Sequence, residues 1–157
     1  MGLDMYLYAR EYISAYDWDK NADGQKLTNI LGNLNFAPSE LESPSVVVQL
    51  PIGYWRKANQ IHNWFVKNVQ GGEDDCKEYH LDRETLQELL DTCEKVLENP
   101  SLAEELLPTS SGFFFGSTDY DEYYENDLRE TSILLTKILS DTRLSSSSVS
   151  FIYTSSW

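Results

Sequence analysis

The residues best equipped to bind or react lie in one run, GYWRKANQIHNWFV at positions 53–66, which gathers two tryptophans, a histidine, two asparagines, an arginine and a lysine. Trp55, Asn59 and His62 follow one another at i, i+4 and i+7, a spacing that puts them on one flank of a helix. An indole stacks on a planar ring, and an amide and an imidazole hydrogen-bond its edge. Arg56 or Lys57 beside them would offset a phosphate or carboxylate. The same residues also suit ordinary packing, with Trp55 and Trp64 at the core boundary and His62 a half-buried histidine whose nitrogens are satisfied.

A second run, SSGFFFGSTDYDEYY at 110–124, sets Gly112 and Gly116 on either side of three phenylalanines. Ser111, Phe113, Phe115, Tyr120 and Tyr123 would make an aromatic wall with polar rims. Hydroxyls and amides just before a helix attract anions, yet Asp119, Asp121 and Glu122 occupy that end and repel them. Three consecutive phenylalanines fit a buried strand equally well. A third run, DKNADG at 19–24, reproduces the first half of a calcium loop through Asp19, Asn21, Asp23 and Gly24. Ile30 stands where the bidentate glutamate belongs, so an Asx-rich turn is the better reading.

Catalytic signatures are missing. No GxSxG elbow, HExxH pair, GxGxxG loop or Walker lysine occurs. The two cysteines and two histidines lack CxxC or HxxxH spacing, so no metal site is expected. Cys93 falls on an apolar stripe, and Cys76 follows Glu73-Asp74-Asp75, whose charge discourages a thiolate. His62 with Asp74, Asp75, Asp121 or Glu122 would form an acid–base pair only if folding brought them together. The expectation is a binder, with no catalytic residues, no metal and no cofactor.

These residues need elements to position them. Residues 3–12 alternate, with Leu3, Met5, Leu7 and Ala9 on one face and Tyr6 and Tyr8 on the other, which predicts a strand. Residues 16–44 read as loop, with a short helix over 28–34 as an option. The β-branched SVVVQL at 45–50 predicts a second strand, closed by Pro51 and Gly53. A helix over 54–69 is predicted from the stripe Tyr54, Ala58, Ile61, Phe65 and Val69, ended by Gly71-Gly72; Arg56, Gln60, Asn63 and Lys67 then point away from the core.

Asp82 caps a second helix with the stripe Leu86, Leu89, Leu90, Cys93 and Leu97, stopped by Asn99-Pro100. Residues 101–107 could add a helical turn. A third helix over 121–139 has the stripe Tyr124, Leu128, Thr131, Leu135 and Leu139, and residues 149–157 read as a last strand. This order predicts an α+β fold in a single domain, 1–157. It would be a small, mostly antiparallel sheet, with first and last strands adjacent and about three helices on one face.

The chain has 157 residues, 41% hydrophobic and 24% charged, which is the composition of a folded domain. Its net charge of −14 argues against direct nucleic-acid binding and against anionic membranes. No apolar run reaches the roughly 18 residues of a membrane span. Asp4 interrupts the N-terminal apolar residues and Tyr6 stands where myristoylation needs Ser or Thr, so a cytoplasmic location is expected. Charge is unevenly divided. Residues 1–70 carry a net −1 and residues 71–157 a net −13, while residues 43–72 hold no acid, only Arg56, Lys57 and Lys67 as cations.

Five segments together, MGLDMYLY at 1–8, GYWRKANQIHNWFV at 53–66, DDC at 74–76, LLPTSSGFFFGSTDYDEYY at 106–124 and SSW at 155–157, resemble a family of small uncharacterised proteins of phages, prophages and bacteria. The resemblance implies the setting of an accessory gene on a mobile element, where counter-defence and host takeover are common. Residues 13–44 carry no part of it. Within that setting the first expectation is stoichiometric sequestration of a small anionic, nucleotide-like ligand between the 54–69 helix and the 110–124 loop. Trp55, Arg56, Lys57, Asn59, His62, Ser111, Phe113, Phe115, Tyr120 and Tyr123 would line that site. The first alternative is an acidic inhibitor that mimics nucleic-acid charge against a basic host protein, using the face Glu88, Asp91, Glu94 and Glu98. The second is a small hydrolase using His62. Oligomeric state is left open.

Overall fold

Alternation along the N-terminal residues produces β1 (Asp4–Ser14) in the computed structural model, which describes residues 2–14, 22–42 and 44–157. The remaining elements are α1 (Ala22–Asn33), β2 (Ser45–Arg56), α2 (Asn59–Asn68), β3 (Tyr79–Leu81), α3 (Arg83–Glu98), α4 (Ala103–Leu106), α5 (Glu122–Ser140) and β4 (Val149–Ser156). One antiparallel sheet carries the order β2-β1-β4-β3, so the first and last strands are neighbours and the fold is α+β.

The chain divides into two compact units, Met1–Ala9 with Pro51–Trp157, and Arg10–Leu50. In the first, Leu3, Met5, Leu7 and Ala9 are buried while Tyr6 and Tyr8 on the opposite face stay half-buried and stack on each other. Ile61 and Phe65 of α2, Leu86, Leu89 and Cys93 of α3, Leu128 and Leu135 of α5, and Phe151 and Tyr153 of β4 complete that core. The helices of this unit therefore cover one face of the sheet. In the second unit, Ile13, Leu27 and Leu31 form a separate small core with Ile30, Val46 and Val48.

Several boundaries differ from the sequence reading. The described residues contain five helices, not about three, because α1 begins at Ala22 and α4 forms a short helix of its own. The larger difference is at 51–58. β2 continues through Pro51 to Arg56, because an edge strand tolerates a missing amide hydrogen. Gly53 and Trp55 face inward and Tyr54 and Arg56 outward, a period of two. Lys57 then takes a left-handed φ of 60°, and α2 starts only at Asn59. Tyr54 and Trp55 are thus strand residues, and no helix flank joins Trp55 to His62.

Gly53 lets its neighbours approach closely, since a Cβ there would lie 3.1 Å from Leu134 and 3.2 Å from Leu7 and push both back by a few tenths of an ångström. β3 was not foreseen. Three residues carry no readable period, and its existence depends on pairing Tyr79, His80 and Leu81 with Tyr153, Ile152 and Phe151 of β4. On α3 and α5 the stripes hold, with Val96 and Ile138 buried where Leu97 and Leu139 are only partly covered. The 110–118 segment forms a turn, not a strand.

Candidate functional site

The three polar residues singled out on one flank each have a partner inside the protein. Trp55 is buried, its indole N–H donates to Thr131 Oγ1 at 2.8 Å, and its ring meets Phe65 edge-on. Asn59 is buried and grips the loop that follows α4. Its amide nitrogen donates to the carbonyls of Phe115 (3.1 Å) and Ser117 (2.8 Å), and its oxygen accepts from the Ser110 amide at 2.8 Å.

His62 is also buried, with both ring nitrogens engaged: Nδ1 with the Tyr153 hydroxyl at 2.7 Å and Nε2 with Asp74 Oδ2 at 3.0 Å. A carboxylate only accepts, so Nε2 donates its proton toward Asp74. Burial pushes the Tyr153 phenol well above its ordinary pKa, with the Asp74 charge adding to it, and so keeps it a donor. Asp74 Oδ1 in turn accepts from the Trp157 indole at 3.0 Å, and Phe115 lies edge-on to both the imidazole and Trp157. This chain offers no ring nitrogen of His62 to solvent.

Three acids matter here, of which the sequence reading of this region named only Asp74. Asp74 was weighed only as one of four options. Asp127 accepts from the Gln60 amide at 3.0 Å, and burial of its carboxyl raises its pKa. Gln60 is buried, not outward-pointing as the 54–69 helix implied. Asp4 accepts from the Tyr54 hydroxyl, which raises the phenol's pKa, and lies 3.9 Å from Arg56. None of these pairings leaves a sequence trace, because the partners lie far apart along the chain.

A cleft of about 260 Å³ is lined by Arg56, Lys57, Asn59, Gln60, Ser117, Tyr123 and Asp127, with Asp119 and Asp121 also on its wall. A second, of about 620 Å³, runs along β2 from Pro51 to Arg56 against Asp127, Glu130 and Leu134 of α5. Two cations therefore share these clefts with four carboxylates. Of the remaining sequence candidates, Ser111 is exposed, Phe113 is 96% exposed and Tyr123 81%, while Phe115 is partly buried against His62. Tyr120 packs on Tyr124 and accepts from the Thr109 amide at 3.3 Å. Trp55 and His62 line neither cleft's open wall together. Trp55 borders the larger cleft and His62 neither.

The most uniform surface is acidic. Glu84, Glu88, Asp91, Glu94 and Glu98 are all exposed on α3, and Glu104 and Glu105 are exposed on α4. None of these seven forms an ion pair with a described residue; Asp91 accepts only from Gln87. Lys95 is the one exposed cation of α3. Glu84 and Glu88, and Glu94 and Glu98, stand four apart, where like charges destabilise a helix by roughly 0.2–0.5 kcal/mol per pair.

No cluster of three or more His, Cys, Asp or Glu able to hold a metal occurs among the described residues. Asp19 and Asn21 of the 19–24 run lie outside them. Cys93 is buried, which pushes its thiol up to about 12, whereas Cys76 is exposed. No described helix is long and apolar enough to cross a membrane. No protein-family model, curated protein or solved structure matches the chain.

Proposed function

We propose that this protein acts by stoichiometric binding and that its working surface is the acidic face of α3 and α4, which engages a basic protein partner. The observation that carries the reading is the row of seven exposed carboxylates without ion pairs. Fold stability accounts for Glu84, Glu104 and Glu105, which sit in first turns and favour the helix dipole, but not for Glu88, Asp91, Glu94 and Glu98, since like charges four apart on a helix oppose it. A regular array of unscreened negative charge attracts the cationic grooves that proteins use to hold nucleic acid. The resemblance to phage and prophage proteins is consistent with an inhibitor of a host nucleic-acid enzyme.

The test compares two double variants that remove the same charge. Glu88→Lys with Glu98→Lys changes the α3 face, and Glu40→Lys with Glu42→Lys changes exposed acids elsewhere. Binding to the arginine-rich peptide RRRRGGRRRR, measured by calorimetry at low salt, should fall at least tenfold for the first and by less than threefold for the second. Equal losses would mean that net charge alone is sensed, and the surface reading fails.

A second reading is favoured by one observation: the smaller cleft joins Arg56 and Lys57 to Ser117 and Tyr123, so that the 53–66 and 106–124 segments meet there. A small anionic or aromatic ligand, a nucleotide among them, would use the two cations for its phosphate and Tyr123 for its ring. The carboxylates of Asp119, Asp121 and Asp127 on the same wall oppose an anion, which is why this reading ranks second. A thermal-shift screen of linear and cyclic nucleotides decides it. A stabilisation that disappears in Arg56→Ala supports the cleft, and a flat screen removes it.

A further inference from the structure

β2 is an edge strand, with β1 on one side and no described strand on the other. The cleft of about 620 Å³ shows where that open side lies, because all six consecutive residues from Pro51 to Arg56 line it. Successive side chains of a strand point to opposite faces, so a hollow that touches six in a row runs along the backbone edge. This stretch and the facing wall of Asp127, Glu130 and Leu134 on α5 belong to the same compact unit. Apart from ladder bonds, the backbone of residues 51–56 bonds no other described backbone group. Natural sheets guard such an edge with charge, proline or a covering segment. Here Pro51 stands at one end and Arg56 at the other, and no charged residue lies between them.

The two walls run in opposite directions. A Cβ on Gly53 would come within 3.1 Å of Leu134, and the Trp55 indole donates to Thr131 Oγ1 at 2.8 Å. The apolar end of the helical wall therefore faces Gly53, and its acidic end lies toward Arg56. Those acids have no cation of their own. Neither Asp127 nor Glu130 forms an ion pair with a described residue; Asp127 accepts from the Gln60 amide and Glu130 from the Asn126 amide. Burial raises the Asp127 pKa, the Gln60 bond opposes the rise, and the charges of Glu130 and Asp121 add to it. Arg56, the one cation on the cleft, stands 3.9 Å from Asp4.

We infer that the open edge of β2 at residues 51–56 takes an extended segment of a partner protein as an added antiparallel strand, with a lysine or arginine turned toward Asp127 and Glu130 and an apolar side chain two positions later turned toward Leu134. The spacings agree. Two strand residues span about 6.8 Å, and Glu130 to Leu134 is about 6 Å along a helix. Backbone hydrogen bonds supply affinity in such a complex, and the alternate side chains supply choice. The two carboxylates select a basic segment and refuse an acidic one. A second copy of this chain would offer its own β2, which holds no lysine and only Arg56, together with a further −14. The inference goes beyond the acidic face of α3 and α4 and does not rest on it.

The test titrates the full chain with the capped peptide TTKTVTT, up to about 1 mM, the weak end of specific affinity, while backbone amide resonances are followed. The peptide should shift residues 52–56 together with Asp127, Glu130 and Leu134. The peptide TTETVTT should bind at least fivefold more weakly, and Glu130→Lys, at an exposed position, should reverse that order. Methylating peptide amide nitrogens one at a time should abolish binding at alternate positions and be tolerated between them, since only every second amide faces β2. Glu88→Lys with Glu98→Lys should change the affinity less than threefold, which separates this edge from the α3–α4 face. No shifts at the highest concentration, shifts elsewhere, or indifference to the methylation pattern would overturn the added strand. Equal binding of the lysine and glutamate peptides would overturn the basic partner. Concentration-dependent broadening of residues 52–56 without peptide would give the edge to a second copy and overturn the proposal likewise.

Discussion

Asn59 shows how a single side chain can look like a ligand-binding group and serve the fold. Its three hydrogen bonds all go to backbone atoms of the 110–117 loop, from a position that is 1% exposed. Removing the amide leaves two carbonyls and one N–H without their partner in a partly buried site. Asn59→Ala should therefore lower stability by about 2–3 kcal/mol, read as a shift in the urea midpoint. Asn59→Asp should be no milder, since a carboxylate can accept from the Ser110 amide but only repels the Phe115 and Ser117 carbonyls. A shift below about 0.5 kcal/mol for the alanine variant would mean that the loop is held by other contacts. The sequence marked Asn59 and His62 as unusual on a helix, and that much was legible. For His62 the inward direction was one of the two readings offered, a half-buried histidine with satisfied nitrogens; for Asn59 it was not foreseen. A polar side chain on a helix is expected to face water, and the groups that satisfy these two, Ser110, Ser117, Asp74 and Tyr153, come from segments whose approach no local pattern encodes.

Among the elements, α3 was the most legible. Asp82 accepts hydrogen bonds from the amide and the hydroxyl of Thr85 at 2.8 and 2.7 Å, and Asn99 closes the far end. The Thr85 hydroxyl and then its amide hold the Asp82 carboxyl below its usual range. Asp82→Ala should cost about 1 kcal/mol near neutral pH. A carboxyl whose folded pKa is depressed contributes stability above its unfolded value, 3.8, and loses it as pH falls through the folded value. The gap between the parent and Asp82→Ala should thus be constant above about pH 5 and close on further acidification; a gap that persists there would assign the loss to helix propensity and not to the charged cap. The β2–α2 junction was illegible for the opposite reason. Residues 54–58 satisfy a helical stripe and a strand alternation at once, and the choice was made by Pro51 finding an edge position and Gly53 allowing Leu134 and Leu7 to close in. Neither circumstance is local to the segment.

At the scale of the whole molecule the charge remains uncompensated after folding. Net charge is −14, and the seven carboxylates of α3 and α4 have no cationic partner among the described residues. Compaction brings these charges closer than they are in the unfolded chain, so repulsion acts against folding and should respond to screening. Raising NaCl from 10 mM to 300 mM shortens the screening length from about 30 Å to about 6 Å. The melting temperature should rise by a few degrees, corresponding to about 1 kcal/mol at this chain length. Glu88→Gln with Glu98→Gln should raise it at low salt and flatten its salt response. The same salt weakens attraction to a basic partner, so stability and binding must move in opposite directions along one titration. A melting temperature indifferent to salt, or one that falls, would mean that the acidic face is internally balanced, and a balanced face has no reason to seek cations elsewhere.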